Sequence, residues 1–96
     1  MRRVVVRYRV KPDRVEENER LVRAVYEELH RADPAGFRYA TFKLDDGVTF
    51  VHVAEGNDPP LPGLAAFKEF QKDIAARCDE PPVASEAEQI GSFGRD

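Results

Sequence analysis

Hydrophobic and polar positions alternate most clearly in the middle of the chain, between residues 37 and 54. The letters there are FRYATFKL, then DDG, then VTFVHVA. Runs rich in β-branched and aromatic residues favour strands. Between the two runs, Gly47 supplies the positive φ that a tight hairpin turn needs. The pattern therefore predicts a β-hairpin at the centre of the chain.

The register of this hairpin is open between two alternatives. A two-residue Asp46-Gly47 loop pairs Thr41 with His52, whereas a three-residue loop with a glycine bulge pairs Ala40 with His52. Because side chains alternate along a strand, the two registers place His52 on opposite sides relative to the second strand.

Two helical segments and two outer strands flank the hairpin. Apolar residues alternate along 4–10, recur at helical spacing over about 14–32 and again over about 64–78, and return in a more polar run within 83–93. Asp13, followed by Glu16, matches a capping box at the start of the first helix. The polar character of the last run indicates an edge strand. The element order is β-α-β-β-α-β.

This order predicts a ferredoxin-like α+β sandwich, in which two helices cover one face of a four-stranded antiparallel sheet. The 96 residues form one domain, residues 1–96, whose core is thin because so short a chain buries little surface. Both hairpin strands carry apolar residues on both faces, so the second face of the sheet also needs cover. A second copy would provide it, which predicts a homodimeric α+β barrel formed through the sheet faces.

Charge and composition exclude several classes of function. The net charge is −3, and basic residues alternate with acidic ones, which disfavours a nucleic-acid partner. No apolar run approaches the ~20 residues that span a membrane, and residues 1–10 have no continuous apolar segment typical of a signal peptide. We therefore expect a cytoplasmic protein without a membrane partner. The two histidines have no carboxylate cluster between them, so no metal site is expected.

Three segments resemble a known group of proteins. They are VVVRYRVKPDRVEENERLVRAVYEEL (4–29), YATFKLDDGVTFVHVAE (39–55) and, after a proline- and glycine-rich loop, LAAFKEFQKDI (64–74). Their layout resembles the dimeric α+β barrel proteins, and within these the antibiotic biosynthesis monooxygenase-like group. The resemblance implies a homodimer formed through the sheets and a ligand cleft in each subunit between sheet and helices. The superfamily includes cofactor-free oxygenases of polyketide quinone precursors and haem-degrading enzymes.

The chain departs from those enzymes in three ways. It has no tryptophan, a residue that their pockets often use. Arg7 and Tyr8 stand at the centre of the first strand, where an asparagine is expected. The second helix has no histidine, so the haem ligand of the haem-degrading members is absent. The resemblance therefore implies no cofactor, disfavours haem degradation and gives oxygenation no positive support.

His52 is the strongest candidate for chemistry, although no catalytic residue can be assigned from the sequence. A neutral imidazole among apolar neighbours can orient a phenol or enol, or take its proton. The alternative is a histidine that is hydrogen-bonded in the core or at the dimer seam. Tyr8, Tyr26 and Tyr39 can offer hydroxyls to a carbonyl, and with Phe67 they complete the candidate ligand-binding residues. The alternative for these four is ordinary core packing.

Other polar and reactive residues have simpler interpretations. Arg7 and Arg9 lie on the strand face opposite Tyr8 and either bind an anion or pair with a glutamate, Glu86 or Glu88, on a neighbouring strand. Cys78 is the single cysteine and ends the apolar stripe of the second helix, where a helix C-terminus raises the pKa of a thiol and disfavours a nucleophile.

Three hypotheses for function follow. The first is a homodimer that binds a small apolar or aromatic molecule, and the second is a cofactor-independent monooxygenase of aromatic polyketide-type substrates. The third is a structural dimer without a ligand. A cavity above roughly 300 Å³, lined by His52 and a tyrosine, would favour the first two over the third.

Overall fold

One antiparallel sheet carries helices on one of its faces. The computed structural model describes residues 2–94. The strands are β1 (Arg3–Val10), β2 (Arg38–Lys43), β3 (Thr49–Glu55) and β4 (Cys78–Glu86), and the helices are α1 (Val15–Ala32), α2 (Ala65–Gln71) and α3 (Ile74–Arg77). The strand order in the sheet is β2-β3-β1-β4, and every neighbouring pair is antiparallel. The predicted ferredoxin-like topology is confirmed.

The central hairpin has the strand pairing of the first of the two registers, but its loop is longer than the predicted two residues, because β2 ends at Lys43 and β3 begins at Thr49. Thr41 pairs with His52, and Gly47 has the positive φ, 79°, that the turn requires. The Asp46 carboxylate accepts hydrogen bonds from the Thr49 hydroxyl and from two backbone N–H groups of the turn. These hydrogen bonds lower the pKa of Asp46 to about 2, and the bond from the Thr49 hydroxyl has the largest effect. The turn therefore fixes which way His52 points.

Helix α1 is amphipathic, but it begins differently from the prediction. A 3₁₀ turn at Pro12–Arg14 precedes it, and the position before the first helical residue is Arg14, without a side-chain cap. The predicted capping box is wrong, because Asp13 lies inside that turn. At the other end, Asp33 takes a left-handed conformation, and its N–H donates to the carbonyl of Leu29 at 2.7 Å.

The second helix is shorter than expected, because the segment predicted as one helix over about 64–78 is divided in two. Asp73, with φ of 60°, separates α2 from α3. The guanidinium of Arg77 donates to the carbonyl oxygens of Phe70 at 2.7 Å and Lys72 at 3.1 Å. The last carbonyls of a helix lack intrahelical partners, so these bonds compensate for the early end of α2.

The last strand lies earlier in the chain than predicted. It begins at Cys78, directly after α3, and ends at Glu86, whereas the polar pattern placed it within 83–93. The prediction began the strand too late because Pro81 and Pro82, which usually do not occur inside strands, lie within it. They are tolerated because β4 is an edge strand, as expected, and its pairing with β1 shifts register beside them.

Helices cover one face of the sheet, and the other face is open. The helix-facing side chains of β1 and β3 join α1, α2 and Cys78 in the core, which contains Tyr8, Val10, Val22, Val25, Leu29, Phe50, Leu61, Leu64, Phe70 and Cys78. The opposite face carries the apolar side chains Val5, Ala40, Phe42, Val51, Val53 and Val83, which we call the open-face patch. Phe42 is 54% exposed and Val83 is 64% exposed. Within residues 2–94, none of the helices is both long and apolar enough to cross a membrane.

Candidate ligand-binding site

His52 lies on the helix-facing side of the sheet, between two tyrosines. Its strand, β3, is flanked by β1 and β2, and the tyrosines stand diagonally across from it on these strands. Diagonal neighbours in a sheet are within reach of aromatic side chains. The Tyr8 hydroxyl is 2.7 Å from Nε2 of His52, and the Tyr39 hydroxyl is 2.6 Å from Nδ1. Both ring nitrogens are therefore hydrogen-bonded to phenol groups.

A second layer of polar side chains continues this network on the Tyr8 side. Asn18, from α1, donates to the Tyr8 hydroxyl at 3.0 Å. Arg77, at the end of α3, donates to the side-chain oxygen of Asn18 at 3.2 and 3.3 Å, and its guanidinium lies over the ring of Phe70. Both Asn18 and Arg77 are almost completely buried. The burial of a charge is costly unless hydrogen bonds satisfy it, and here each end of the guanidinium has an acceptor.

The network also continues on the Tyr39 side. The hydroxyl of Thr41 lies 3.1 Å from Nδ1 of His52 and 2.8 Å from the hydroxyl of Tyr26. The rings of Tyr26 and Tyr39 stack with their centroids 5.3 Å apart. Helix α1 and strand β2 are thereby joined next to the histidine.

A cavity of about 460 Å³ opens beside His52, between the sheet and the α2 side of the fold. Its wall is mostly aliphatic, aromatic and proline side chains, and its polar members are Tyr8, Tyr39, His52 and Gln71. Among the wall residues that the structure describes, no side chain is formally charged at neutral pH, because burial keeps the histidine neutral. The arrangement is typical of small-molecule sites, which combine apolar walls with a few placed polar groups.

Burial sets the protonation states in this cavity. Burial lowers the pKa of His52 to about 4, so the imidazole is neutral at pH 7. Burial likewise raises the pKa of both Tyr8 and Tyr39, so both phenols keep their protons. The site can donate and accept hydrogen bonds without carrying a charge.

The structure brings together most of the candidate residues, though not all. Tyr8, Tyr39, His52 and Phe67 line the same cavity. Tyr26 lines a second, smaller cavity of about 250 Å³ and reaches the histidine through the threonine of β2.

The residues given simpler interpretations are not among the hydrogen-bonded side chains of the network, although Cys78 directly follows Arg77. Cys78 is buried, and burial raises the pKa of its thiol, in agreement with an unreactive side chain. Arg9 pairs with Glu80 at 3.7 Å rather than with Glu86 or Glu88. Among the residues that the structure describes, no three histidine, cysteine or acidic side chains are grouped as metal ligands would be.

Two members of the network, Asn18 and Arg77, were missed by the sequence interpretation. Asn18 lies three residues after Val15 and four before Val22, so it occupies a position in the apolar stripe of α1. Arg77 follows Ile74 by three residues and continues the stripe of the second helical segment in the same way. A polar residue at a stripe position is the signal that could have identified them.

These features define a class: a ferredoxin-like α+β chain with a neutral histidine between two tyrosines in the wall of an apolar cavity.

Three solved structures have closely similar folds. An antibiotic biosynthesis monooxygenase is 19% identical with a TM-score of 0.75, and the match covers 95% of this chain and 100% of that one. A protein from Nitrosomonas europaea, provisionally assigned as an antibiotic biosynthesis monooxygenase, is 19% identical with a TM-score of 0.74. The match covers 97% of this chain and 93% of that one. Rv0793 from Mycobacterium tuberculosis is 16% identical, with a TM-score of 0.74 and coverage of 97% and 98%.

The chain therefore has the fold of the antibiotic biosynthesis monooxygenase-like proteins, and the resemblance stated from the sequence is confirmed for the fold. At identities below 20%, these similarities describe the backbone and do not assign an activity. No protein-family model matches the chain, and no curated protein matches it.

Proposed function

We propose that this chain is a homodimeric α+β barrel protein that binds a small apolar or aromatic molecule in the cavity between sheet and helices. The observation that carries this proposal is the cavity of about 460 Å³ with His52, Tyr8 and Tyr39 in its wall. Ligand sites are typically larger than roughly 300 Å³. A structural dimer without a ligand would have a filled core at this place, so that hypothesis ranks last.

The wall of the cavity supports an apolar ligand. Aromatic side chains of α2, Phe67 and Phe70, face the helix side of the sheet, and proline and leucine side chains of the loop before α2 complete the wall. Affinity would come from apolar area removed from water, at roughly 25 cal/mol per Å². The tyrosine hydroxyls, which the imidazole holds in place, would set the orientation of the ligand.

The low pKa of His52 favours binding over base catalysis. Protonation of an imidazole with a pKa of about 4 costs about 4 kcal/mol at pH 7, since each pH unit is worth about 1.4 kcal/mol. A general base works best when its pKa is close to the working pH. His52 is therefore better suited to hold the hydroxyls of Tyr8 and Tyr39 in place for a neutral ligand than to hold a proton taken from it.

The open-face patch supports the homodimer. Its six apolar side chains come from all four strands, and Phe42 and Val83 are more than half exposed in the single chain. Exposed apolar patches usually mark interaction sites, and this one surrounds an arginine, Arg7, which lies between Val51 and Val83. A second copy that packs its own patch on this one would remove both from water, and sedimentation at micromolar concentration should give about twice 10.9 kDa.

The binding proposal can be tested with fluorene, an uncharged tricyclic hydrocarbon, by fluorescence titration. The variant Ala54→Phe places a large ring in the cavity wall, whereas Ala75→Phe makes the same change at an exposed position of α3 that does not line the cavity. We expect binding in the wild type and in Ala75→Phe, and loss of binding in Ala54→Phe. Equal binding by all three proteins would contradict the proposal.

A second candidate function is a cofactor-independent monooxygenase of aromatic polyketide-type substrates. It is favoured by the phenol and imidazole groups that converge on the cavity. With anthrone as the test substrate, anthrone and O₂ give anthraquinone and water: one oxygen atom becomes the new carbonyl and the other leaves as water with the two hydrogens of that carbon. His52, with a tyrosine hydroxyl, would take the proton whose loss makes the substrate electron-rich.

Oxygen uptake distinguishes the two candidates. If the chain is a monooxygenase, it should consume O₂ with anthrone and form anthraquinone, and this activity should be lost in His52→Ala and kept in His30→Ala. Uptake no faster than in buffer would leave the binding function as the conclusion.

A further inference from the structure

The hydrogen bonds around His52 have a fixed direction, because the chain of bonds begins at an arginine. Arg77 is 1% exposed, and two of its nitrogens lie 3.2 and 3.3 Å from the side-chain oxygen of Asn18. A guanidinium carries only donors. The amide of Asn18 must therefore turn its oxygen toward Arg77 and its NH₂ group toward the Tyr8 hydroxyl, 3.0 Å away.

The Tyr8 hydroxyl accepts this bond and has to place its own hydrogen elsewhere. Its second hydrogen-bond partner is Nε2 of His52, at 2.7 Å. If Nε2 carried a hydrogen and donated it to Tyr8, the phenol hydrogen would be buried without an acceptor, which is unfavourable. Counting donors and acceptors thus leaves Nε2 as the acceptor and puts the ring hydrogen on Nδ1.

We infer that Arg77 is a positioning residue that holds His52, through Asn18 and Tyr8, as the Nδ1–H tautomer, so that the cavity selects apolar ligands carrying a hydrogen-bond acceptor. The Nδ1–H group donates to the Tyr39 hydroxyl oxygen, 2.6 Å away.

The acceptor selectivity follows from the role of Tyr39. Because its oxygen accepts from the ring, its own hydrogen is available to a ligand. Among the wall residues that the structure describes, none is formally charged at neutral pH. Gln71 is exposed and can both donate and accept, so it gives no preference. The hydrogen of Tyr39 therefore favours an uncharged, mainly apolar molecule with an acceptor such as a carbonyl oxygen. This part rests on the proposed binding function.

The tautomer can be measured without any ligand, so its test is independent of the proposed function. In protein labelled with ¹⁵N-histidine at pH 7, the two ring nitrogens of a neutral imidazole have well-separated shifts that identify the protonated one. The chain has two histidines, and His30→Gln leaves only the signals of His52. We expect Nδ1 of His52 to be protonated and Nε2 to be unprotonated. The opposite assignment, or an average of the two tautomers, would overturn the inference.

The variant Asn18→Asp tests the role of the second layer. Both carboxylate oxygens accept hydrogen bonds, so Tyr8 would donate to the carboxylate, Nε2 would donate to Tyr8, and the tautomer should change to Nε2–H. Arg77 would remain beside the new charge and neutralise it. A purely structural role for Asn18 predicts an unchanged tautomer. If the variant does not fold, the shifts of the wild type still decide the inference.

Three tricyclic probes test the selectivity: fluorene has no polar group, fluorenone has a carbonyl acceptor, and carbazole has an N–H donor. We expect wild type to bind fluorenone about three- to tenfold more tightly than fluorene, the value of one net hydrogen bond, and more tightly than carbazole, whose N–H meets only the remaining lone pair of Tyr39. The gain should vanish in Tyr39→Phe. In Asn18→Asp, where Tyr39 donates to Nδ1 and only its lone pairs face the cavity, carbazole should gain instead.

The outcomes separate the two proposals. Equal binding of fluorene and fluorenone by the wild type would overturn the ligand class while binding itself stands. Failure of all three probes to bind would count against the proposed function, and the ¹⁵N shifts would still decide the tautomer.

Discussion

Acidification should destabilise this protein through one buried side chain, His52. Its pKa is about 4 in the folded chain and 6.5 in an ordinary exposed setting. The unfolded state therefore binds more protons between these two pH values, and stability rises with pH wherever that is so. Folding stability should be fully present above pH 6.5 and should fall as the pH is lowered toward 4.

The magnitude follows from the difference between the two pKa values. Each unit of separation is worth about 1.4 kcal/mol, so between pH 7 and pH 4 the His52 contribution should decrease by about 3 kcal/mol. This is a large part of the total stability of a small domain, which is about 5–15 kcal/mol. Tyr8 and Tyr39 do not contribute in this range, because burial keeps both phenols protonated.

Urea unfolding at a fixed protein concentration, repeated from pH 4 to pH 8, measures this term. The variant His52→Gln keeps a neutral polar side chain but cannot titrate, and His30→Gln makes the same change at an exposed position. Carboxylates contribute equally to all three proteins and cancel in the differences. Wild type and His30→Gln should lose about 3 kcal/mol more than His52→Gln between pH 7 and pH 4. Parallel pH profiles for all three proteins would refute the assignment of a buried neutral histidine.

Three further predictions concern a buried arginine, a glycine with a positive φ and the open-face patch. Arg77→Met should lower the free energy of unfolding by about 3 kcal/mol in urea, because Asn18 and two backbone carbonyls lose a buried donor. Gly56→Ala should lower it by about 1–3 kcal/mol, because φ is 151° and a Cβ would lie 2.9 Å from the carbonyl oxygen of Gly36. Val51→Lys places a second positive charge beside Arg7 in the open-face patch and should convert the proposed dimer to a 10.9 kDa particle in sedimentation.

Matched substitutions at exposed positions control these three predictions. Arg31→Met and Gly63→Ala should each change the unfolding free energy by less than about 1 kcal/mol, and a Cβ at Gly63 meets no atom within 4 Å. Ala75→Lys should leave the dimer intact. Similar losses in a variant and its control, or a wild type that sediments at 10.9 kDa, would contradict the respective prediction.

The elements that repeat a simple period were predictable from the sequence. The alternating hairpin and the stripe of α1 gave the sheet and the main helix, and the element order gave the topology. The break at Asp73 was not predictable from periodicity, because the apolar stripe continues across it from Phe70 to Ile74. The start of β4 was hidden by two prolines, which normally end a strand but are tolerated at a sheet edge.

The candidate site was predictable in part. His52 stood out because it lies between two valines, and the tyrosines stood out because their hydroxyls can meet a carbonyl, but the hairpin left two registers open and only the folded turn selects one. Asn18 and Arg77 were missed because their role depends on contacts between distant segments: residue 77 reaches residue 18 across 59 positions of the chain. A local pattern identifies such residues as polar side chains at apolar helix positions, but it does not predict their hydrogen-bond partners.

The central claim is that the cavity beside His52, rather than the open-face patch, receives a small apolar molecule. Two-dimensional NMR of ¹³C-labelled protein titrated with fluorene tests it most directly, because both surfaces are apolar and carry methyl and aromatic groups. We expect shift changes at the cavity residues Val6, Ala54, Phe67 and Ile74. Changes confined to Phe42 and Val83 on the opposite face of the sheet, or no changes at saturating fluorene, would contradict the claim.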